Sequence, residues 1–458
     1  MPRAPFSYTA QWDRGLGFAM RFTTTVMNET TTKILPYLER LLDGEEVEWK
    51  TLGEVGTFVR GTSFQKKHFV EKGVGCIHYG EIYTRYGLFA KKTISYLNEE
   101  IANKARKASY GDLIIATTSE NDDDVCKSVA WLGSESIVVS NDACYYHHTL
   151  NPKYVAYFFR TDEFQRQKRT YITGTKVKRV NANDLAKITL PIPPLRVQAR
   201  IVEILDKFTQ LEAELEAELE ARRKQYAYYR DQLLNFSQCP PLNVNIEWKT
   251  LGEVMEIVTD FTAAGSFASN AQNVRYLQEP NYALLVRTTD IKQGFKSTEK
   301  FIYVDQHAFE YLWRVNLDKE CIILPNVGKN CGEVYHSSPT ILPYKNCVLG
   351  PNAILVRSEK ASNKFLYYLF QAEYFQKELA KITSNAGQGK FNKTNLKQIK
   401  LPIPPLFKQR RIVDILDRFD TLTNSINEGL PKEIALRRKQ YEYYRDALLS
   451  FPRPEVSA

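Results

Sequence analysis

The side chains best suited to chemistry in this 458-residue sequence are lysines and arginines in loop-like stretches, interleaved with tyrosine and asparagine. In the N-terminal half they are Arg60, Lys66, Lys67, Tyr79, Arg85, Lys176, Lys178 and Arg179, with Arg166, Lys168 and Arg169 nearby. In the C-terminal half they are Arg287, Lys292, Lys329, Lys390, Asn392 and Lys393. Lysine and arginine neutralise phosphates, and arginine and asparagine can hydrogen-bond base edges in the major groove. The pattern favours contact with double-stranded DNA, although any one basic run is more often a solvated surface.

Motifs that would indicate catalysis are weak. The sequence contains no GxxxxGK[ST] phosphate loop and no HExxH. Asn151-Pro-Lys-Tyr154 lacks the second proline of the amino-methyltransferase motif Asn-Pro-Pro-Tyr, and Asn-Pro is an ordinary start of a helix. Glu48-Trp-Lys50 and Glu247-Trp-Lys249 match the D/E-x-K that ends a nuclease motif, but the Pro-Asp that precedes it in that motif is absent upstream of both. We therefore predict no catalytic residue, and a nuclease or methyltransferase activity of the chain itself is a disfavoured alternative.

Candidate metal ligands are confined to one stretch, Asp142–His148 (DACYYHH). Alternate residues of a strand face opposite ways, and no second cluster completes four ligands, so we predict no metal site. The seven cysteines are scattered without a CxxC, which favours free thiols in a reducing compartment. No apolar run is long enough to span a membrane, and we expect a cytoplasmic protein. The formal net charge of +9 is compatible with nucleic acid as a partner.

Two internal repeats organise the elements that must position these side chains. Leu190–Phe236 and Leu401–Phe451 both begin with LPIPPL and contain RRKQYxYYRDxLL near their ends, and EWKTLGEV occurs at Glu48–Val55 and Glu247–Val254. The order is therefore module, helix, module, helix. The predicted domains are an N-terminal extension with a short helix (1–46), a first module (47–189), a first spacer helix (190–246), a second module (247–400) and a second spacer helix (401–458). Residues 1–32 show no periodicity, and both Met1 and Met27 remain possible starts.

The residue pattern of both long repeats predicts amphipathic helices. Pro193 and Pro194 suit the entrance of a helix, and apolar residues then recur every three or four positions. From Val197 to Phe236 the helix would be about 60 Å long and would carry one narrow apolar stripe. A narrow stripe favours a coiled coil between the two repeated helices, and the alternative is that each helix packs only on its own module. We expect Gly429 and Pro431 to break or kink the second helix.

The modules combine short strands with helices, which predicts an α+β fold with two modules of mixed α/β content. The predicted strands are Gly73–Tyr79, Asp112–Ala116 and Ser136–Ser140 in the first module, and Tyr282–Thr289, Cys321–Leu324 and Ala353–Val356 in the second. One helix is predicted after each set of strands, at Asn151–Arg169 and Lys364–Lys381. Basic loops with glycines follow these helices, at Thr173–Arg179 and Gly387–Lys393. The modules otherwise differ strongly, which suggests two different binding surfaces on one scaffold.

The repeated LPIPPL helices, each following a variable module that opens with EWKTLGEV, resemble the specificity subunit (HsdS) of type I restriction–modification systems. The resemblance covers nearly all of the chain after about Thr32. It implies that each module is a target-recognition domain for one half of a split, asymmetric DNA site, and that the two conserved helices form an antiparallel coiled coil. It also implies docking of methyltransferase subunits, expected to be two, and of restriction motor–nuclease subunits. S-adenosylmethionine, ATP and Mg²⁺ would belong to those partners and not to this chain.

Leu211–Ala221 (LEAELEAELEA) resembles the tetrapeptide-repeat spacer of the IC subgroup of that family. One Leu-Glu-Ala-Glu unit changes the length of a helix by about 6 Å, whereas neighbouring base pairs are about 3.4 Å apart. The repeat is therefore expected to set the spacing of the half-sites. Its acidic face should avoid DNA and remain available to protein. The alternative function for the whole chain is a two-module coiled-coil scaffold without a role on DNA.

Overall fold

The computed structural model describes residues 36–236, 246–384, 388–425 and 428–453. Residues 1–35, which include most of the predicted N-terminal extension, lie outside the described residues, and the short helix predicted there is found at 36–42 (α1). The chain divides into two compact units, Met1–Glu214 with Ile434–Ala458, and Leu215–Glu433. Each unit combines one predicted module with parts of both repeated helices.

The first unit is rich in short strands. Its strands are β1 (Glu48–Thr51), β2 (Gly56–Arg60), β3 (Phe69–Val70), β4 (Val74–Ile77), β5 (Phe89–Ala90), β6 (Ser95–Leu97), β7 (Lys107–Ala108), β8 (Leu113–Ala116), β9 (Thr118–Ser119), β10 (Ser128–Trp131), β11 (Ile137–Val139), β12 (Ala143–His148), β13 (Lys178–Arg179) and β14 (Thr189–Ile192). After α1, its helices are α2 (Leu52–Val55), α3 (Tyr79–Thr84), α4 (Glu99–Asn103), α5 (Pro152–Phe158), α6 (Asp162–Arg169), α7 (Ala182–Leu185) and the start of α8 (Leu195–Leu234).

The second unit repeats this plan with fewer strands. Its strands are β15 (Glu247–Thr250), β16 (Ile257–Asp260), β17 (Ala283–Val286), β18 (Ile302–Val304), β19 (Cys321–Pro325), β20 (Tyr335–Ser337), β21 (Cys347–Leu349), β22 (Ala353–Arg357) and β23 (Lys400–Ile403). Its helices are α9 (Leu251–Val254), α10 (Phe267–Asn273), α11 (Thr288–Lys292), α12 (Gln306–Tyr311), α13 (Asn363–Gln371), α14 (Glu373–Ile382), α15 (Lys393–Leu396), α16 (Leu406–Asn424) and the start of α17 (Gly429–Leu448). The α+β fold class predicted from the sequence is confirmed.

The central strands of each main sheet are buried on both faces. In the first unit the strand order is β2-β12-β8-β10-β5, and in the second it is β16-β22-β19-β20. In β8, Leu113 and Ile115 face the core that contains α5 and α6, whereas Ile114 and Ala116 face a second core beneath the small sheet β3-β6-β4-β11-β7. Alternate side chains along a strand point to opposite faces, so a strand covered on both sides is apolar at every position. This burial explains why the predicted strands appear as continuous apolar runs.

The repeated sequences EWKT and LPI pair with each other. β1 lies antiparallel to β14, with Glu48 opposite Ile192, and β15 lies antiparallel to β23, with Glu247 opposite Ile403. The side chain of Thr51 and the carboxylate of Glu54 then form a capping box that starts α2. Each two-stranded ribbon therefore joins the start of a module to the start of its long helix. The Glu-Trp-Lys segments are strand residues with this structural role.

The two long helices pair antiparallel within the first unit. Phe208 of α8 stacks on Tyr444 of α17 with 5.2 Å between ring centroids, and Glu212 of α8 pairs with Arg438 of α17 at 2.6 Å. Glu212 follows Phe208 in α8, whereas its partner Arg438 precedes Tyr444 in α17, so the two helices run in opposite directions. In the second unit, Tyr226 of α8 stacks on Phe419 of α16 at 6.3 Å. The coiled-coil interpretation is confirmed, and the alternative that each helix packs only on its own module is wrong.

The second repeated helix is interrupted, as expected, between α16 and α17. Gly429 has a φ of +72°, a conformation that glycine adopts without steric cost. A Cβ atom there would lie 2.5 Å from the carbonyl oxygen of Thr421. Pro431 falls in the first turn of α17, where a proline is tolerated because its missing N–H would have no partner in the helix. The break therefore depends on Gly429, and the proline follows it.

The single helix predicted at Asn151–Arg169 is wrong, because the structure has two helices, α5 and α6. Thr161 adopts an extended conformation, and its side chain accepts a hydrogen bond from the backbone N–H of Phe164, which starts a new helix. The helix predicted at Lys364–Lys381 is likewise divided, with Ala372 between α13 and α14. The apolar periodicity continues across both breaks, so it gave no sign of them.

Candidate nucleic-acid interface

Three strands of the first main sheet, β2, β8 and β12, are connected to loops at the same end of that sheet. Arg60 ends β2 opposite Cys144, and Ala116 ends β8 opposite Ala143, the first residue of β12. The backbone N–H of Thr117 donates to the carbonyl of Asp142 at 3.0 Å. We call the surface formed by Arg60, residues 117–127, residues 141–142 and residues 173–180 the first loop edge.

Helix α3 is fastened to this edge. The hydroxyl of Tyr83 donates to the carbonyl of Thr118 at 2.5 Å, and burial raises the pKa of Tyr83. The backbone N–H of Tyr79 donates to the hydroxyl of Ser140 at 2.8 Å. At the end of α3, Arg85 lies 3.8 Å from the carboxylate of Glu81. The structure therefore brings Tyr79 and Arg85 to the same end of the sheet as Arg60.

The predicted basic loop of the first module is a tight hairpin. Thr173 and Arg179 exchange backbone hydrogen bonds of 2.9 Å, and Gly174 turns the chain with a φ of +89°. Lys178 and Arg179 pair with β9, opposite Ser119 and Thr118. Lys176, Lys178 and Arg179 are thereby held beside the loop that follows β8, and Lys176 and Arg179 are exposed.

An acidic loop at the first edge was missed by the sequence analysis. The Lys178 ammonium lies 3.2 Å from Asp122, and Arg169 lies 3.8 Å from Asp123. Lys168, which was grouped with the exposed basic residues, is fully buried and donates to the carbonyls of Asp123 and Val125 at 3.1 and 3.0 Å. Burial lowers the pKa of Lys168. Its role is to hold this loop, and the acidic run Glu120–Asp124 was the available signal.

The second unit has a corresponding set of loops. Pro325 ends β19 opposite Ala353, the first residue of β22. The backbone N–H of Asn326 donates to the carbonyl of Asn352 at 3.1 Å, and the Asn326 side chain donates to the carbonyl of Phe391 at 3.2 Å. Asn352 has a φ of +68°, which asparagine tolerates better than most residues. We call Asp260, residues 326–334, residue 352 and residues 388–393 the second loop edge.

The predicted cations of the second unit lie along or beside this edge. Ser384 and Lys390 exchange backbone hydrogen bonds of 2.8 and 3.2 Å, the same arrangement as Thr173 and Arg179. Gly387, in the predicted basic loop, lies outside the described residues. Three of the other cations form ion pairs: Lys393 with Asp260 at 2.8 Å, Lys292 with Glu333 at 2.6 Å and Arg287 with Asp290 at 2.6 Å. Lys329 is exposed. Asn392 caps α15, because its side chain accepts a hydrogen bond from the N–H of Asn395 at 2.8 Å.

Comparison with known sequences identifies the kind of protein to which these edges belong. The family described as "Type I restriction modification DNA specificity domain" matches residues 44–221 and again residues 243–436. The two matches cover most of the chain and include both modules. The chain belongs to this family of type I restriction–modification specificity subunits. Its role is to supply DNA sequence specificity, and the prediction of a non-catalytic specificity subunit is confirmed.

Individual relatives match most of the length of this specificity subunit. The specificity subunit of the type I restriction enzyme EcoR124I/EcoR124II from Escherichia coli is 34% identical, covering 92% of this chain and 98% of the relative. A putative type I specificity subunit from Haemophilus influenzae is 30% identical, covering 91% and 98%. A solved structure from work on complex assembly and conformational transition of the type I restriction–modification system matches with a TM-score of 0.60 at 17% identity, covering 88% and 98%. The last likeness supports the fold.

The twelve cations among the predicted contact residues of the specificity subunit fall into two groups. Within the described part of the chain, one group has a carboxylate partner: Arg85, Lys178, Arg287, Lys292 and Lys393. A second group of exposed cations forms no ion pair with any described residue: Arg60, Lys66, Lys67, Lys176, Arg179, Lys329 and Lys390. Lys66 and Lys67 lie in a short 3₁₀ turn, Lys66–His68, outside the residues that define the first loop edge.

The remaining candidate sites of the specificity subunit are structural. Cys144 is buried in β12, whereas the His147 ring bonds the buried carboxylate of Asp112 at 2.7 Å. No group of three potential metal ligands occurs among the described residues. The six cysteines within the described ranges are free thiols. In those same ranges, no helix is both long enough and apolar enough to cross a membrane.

Proposed function

We propose that each module of this specificity subunit recognises one half of a split, asymmetric DNA site. One observation carries the proposal: equivalent strand ends and backbone pairs border the loop edge of each unit, but the side chains there differ. The backbone pairs Thr173 with Arg179 and Ser384 with Lys390 occupy equivalent places, yet the segments after β8 and β19 differ in sequence and charge. The target-recognition domains of the proposal are residues 47–189 and 247–400, joined by spacer segments 190–246 and 401–458.

In the proposal, the fourteen predicted residues serve two roles at these edges, contact with phosphates and contact with bases. Exposed cations without carboxylate partners, such as Lys176, Arg179 and Lys390, take DNA phosphates and fix the register of each module. Side chains oriented by neighbouring groups, such as Arg287, are the candidates for base edges. Its Nε and Nη2 donate to Asp290 and to the carbonyl of Lys300, which orients Nη1 as the group that would bond a base. Phosphate contacts supply affinity, and base contacts supply the sequence preference.

The helices set the distance between the half-sites in this proposal. Leu211, Leu215 and Leu219 of the tetrapeptide repeat are half-buried within the continuous helix α8, while most of the intervening glutamates and alanines are exposed. A four-residue unit turns the helix by about 400°, so successive leucines lie within about 40° of one another on one face, and each unit added or removed changes the helix length by about 6 Å. The repeat is thus suited to a change in spacing.

The specificity subunit works in the cytoplasm, with partners that carry out the chemistry. It directs two methyltransferase subunits and the restriction motor–nuclease subunits to the site. S-adenosylmethionine, ATP and Mg²⁺ belong to those partners. Relatives named as specificity subunits of type I restriction enzymes support this assignment.

A genome-wide map of adenine methylation tests the proposed function. The map is made in a host that expresses the chain with its methyltransferase partner, and again in the same host without the chain. The expected result is one two-part motif with an undefined spacer, methylated only when the chain is present. Copurification of the two proteins without any such motif would overturn the assignment of half-site recognition.

A further inference from the structure

The first module is attached to the long helices through three side chains. The first is Gln198 of α8, which is 1% exposed. Its side-chain oxygen accepts from the backbone N–H of Asn151 at 2.9 Å, and its side-chain nitrogen donates to the carbonyl of Pro193 at 2.8 Å. Gln198 thereby joins the start of α5 to the start of α8.

The second attachment is Asp206 of α8. Its carboxylate accepts from the Lys153 ammonium at 2.5 Å and from the hydroxyl of Tyr157 at 2.7 Å. Tyr157 is fully buried, and burial raises its pKa, so the hydroxyl stays a donor. Gln198 and Asp206 are separated by eight positions, or about 12 Å along the helix. Two contacts at this distance fix the direction of α5 relative to α8.

The third attachment comes from the other long helix. Asp446 of α17 accepts at 2.9 Å from the backbone N–H of Asp162, the first residue of α6. A carboxylate at the N-terminus of a helix satisfies an unpaired N–H and interacts favourably with the helix dipole. Arg445 pairs with the same carboxylate at 2.7 Å and so orients it.

The second unit repeats all three attachments at equivalent positions. The N–H of Ser362 donates to Gln409 at 2.9 Å, and Gln409 donates to the carbonyl of Pro404 at 2.8 Å. Asp417 accepts from the hydroxyl of Tyr368 and lies 3.3 Å from the Lys364 ammonium. Asp231 of α8 accepts from the N–H of Glu373 at 3.0 Å. These contacts recur although the modules between them differ in strand number and charge.

From this repetition we infer that Asp206 with Asp446, and Asp417 with Asp231, are positioning residues that make the spacing of the two half-sites strict. We call each pair, with Gln198 or Gln409, the anchor of its module. Three contacts that do not lie on one line fix the orientation of a body, so helix length can determine where each loop edge lies. The inference rests on the proposed function, because it assumes that each edge binds a half-site.

To reject a spacer that is one base pair longer, each module must be held precisely on its helices. One extra base pair moves a half-site by about 3.4 Å along the DNA and rotates it by about one tenth of a turn. A module that could tilt on its helix by a few ångströms would accept both spacers. Direct hydrogen bonds at two helices oppose this tilt, because they fix particular polar atoms of the module against α8 and α17.

The test uses the full chain with its methyltransferase partner and DNA duplexes that carry the mapped half-sites. One duplex has the native spacer, and another has a spacer one base pair longer. Wild-type protein should prefer the native spacer by about tenfold or more, comparable to a mismatched base pair. The variant Asp206→Ala/Asp446→Ala should reduce this preference about fivefold or more, with the penalty for changed half-site bases unaltered.

The matched control is Glu203→Ala/Glu214→Ala. It also removes two carboxylates, but Glu203 pairs with Arg200 and Lys207, and Glu214 with Gln210, all within α8. The control should retain the spacer preference. If the double alanine variant fails to fold, Asp206→Asn replaces it, because asparagine can still accept from Tyr157 but loses the ion pair with Lys153.

The outcomes separate the two proposals. An unchanged spacer preference in the folded anchor variant overturns the positioning role and leaves half-site recognition intact. Absence of any half-site preference in the wild-type protein overturns the proposed function instead. A variant that loses half-site preference together with spacer preference would show that the anchor is only structural, which also overturns the inference.

Discussion

The two units agree where the module meets the long helices and differ at the loop edges. Tyr157 and Tyr368 are both fully buried and donate to an aspartate of the helix that follows the module. At the edges, the first unit carries an acidic loop beside its basic hairpin, whereas the second carries Asn326 and Asn352 at the corresponding end of its sheet. Contacts that must be repeated to build the same scaffold are kept, while the exposed edges vary.

One buried position shows how the difference is built. Lys168 of α6 corresponds to Leu379 of α14, because both come four residues after a buried phenylalanine, Phe164 or Phe375. Leu379 packs in the core of the second unit, whereas Lys168 extends to two carbonyls of the acidic loop. A buried ammonium is tolerated when it is hydrogen-bonded. Lys168 therefore holds the acidic loop through hydrogen bonds, at a position where Leu379 only packs in the core.

The largest expected effect follows from replacing this lysine. Lys168→Met retains the length of the side chain but leaves the buried carbonyl of Val125 and the partly buried carbonyl of Asp123 without their donor. It should lower the free energy of unfolding by about 2 kcal/mol. Urea unfolding of the full chain measures the change, and hydrogen exchange of residues 117–127 locates it. The control Leu379→Met conserves volume and should cost less than about 1.5 kcal/mol. Unchanged stability and unchanged exchange at this loop would contradict the assigned role.

A second difference lies in the long helices, since α8 is continuous and its counterpart is divided into α16 and α17. Gly429→Ala places a Cβ atom 2.5 Å from the carbonyl oxygen of Thr421 and forces alanine into a left-handed conformation. The free energy of unfolding should fall by about 1–2 kcal/mol. Gly87→Ala is the control, because no atom lies within 4 Å of its added Cβ and its φ is not positive. Equal stability of the two variants would show that the break is not held by Gly429.

Periodicity and repetition allowed the fold class, the long helices and the order of the elements to be predicted. These features depend on local patterns, such as the leucine stripe of α8 and the continuous apolar run of β8, that any partner would have to bury. The split between α5 and α6 was not predictable from periodicity, because it depends on one capping side chain, Thr161. The candidate site was predicted by residue type alone. Its ion pairs join residues far apart in sequence, such as Lys178 with Asp122 and Lys393 with Asp260.

The smallest expected effects concern single cations at the two loop edges. Arg179 and Lys390 occupy equivalent places, because each exchanges backbone hydrogen bonds with the residue six positions before it, and neither forms an ion pair with any described residue. If each binds one phosphate, Arg179→Ala and Lys390→Ala should each weaken binding to all sequences and reduce the slope of log affinity against log salt by about 0.9. Titration of the complex with duplex DNA at several salt concentrations measures both changes. A loss restricted to one half-site sequence would instead assign the side chain to base recognition.

The same titration distinguishes the two edges, since Lys178 is held by Asp122 and its counterpart at the second loop edge is Gly389. Asp122→Asn removes the competing carboxylate, so Lys178 becomes available to phosphate. Affinity for non-specific DNA should rise, and the salt slope should steepen by up to about 0.9. Asp260→Asn is the matched change at the second edge and should free Lys393 in the same way. If neither change alters the slope, these ion pairs do not compete with DNA, and the carboxylates serve only to order the loops.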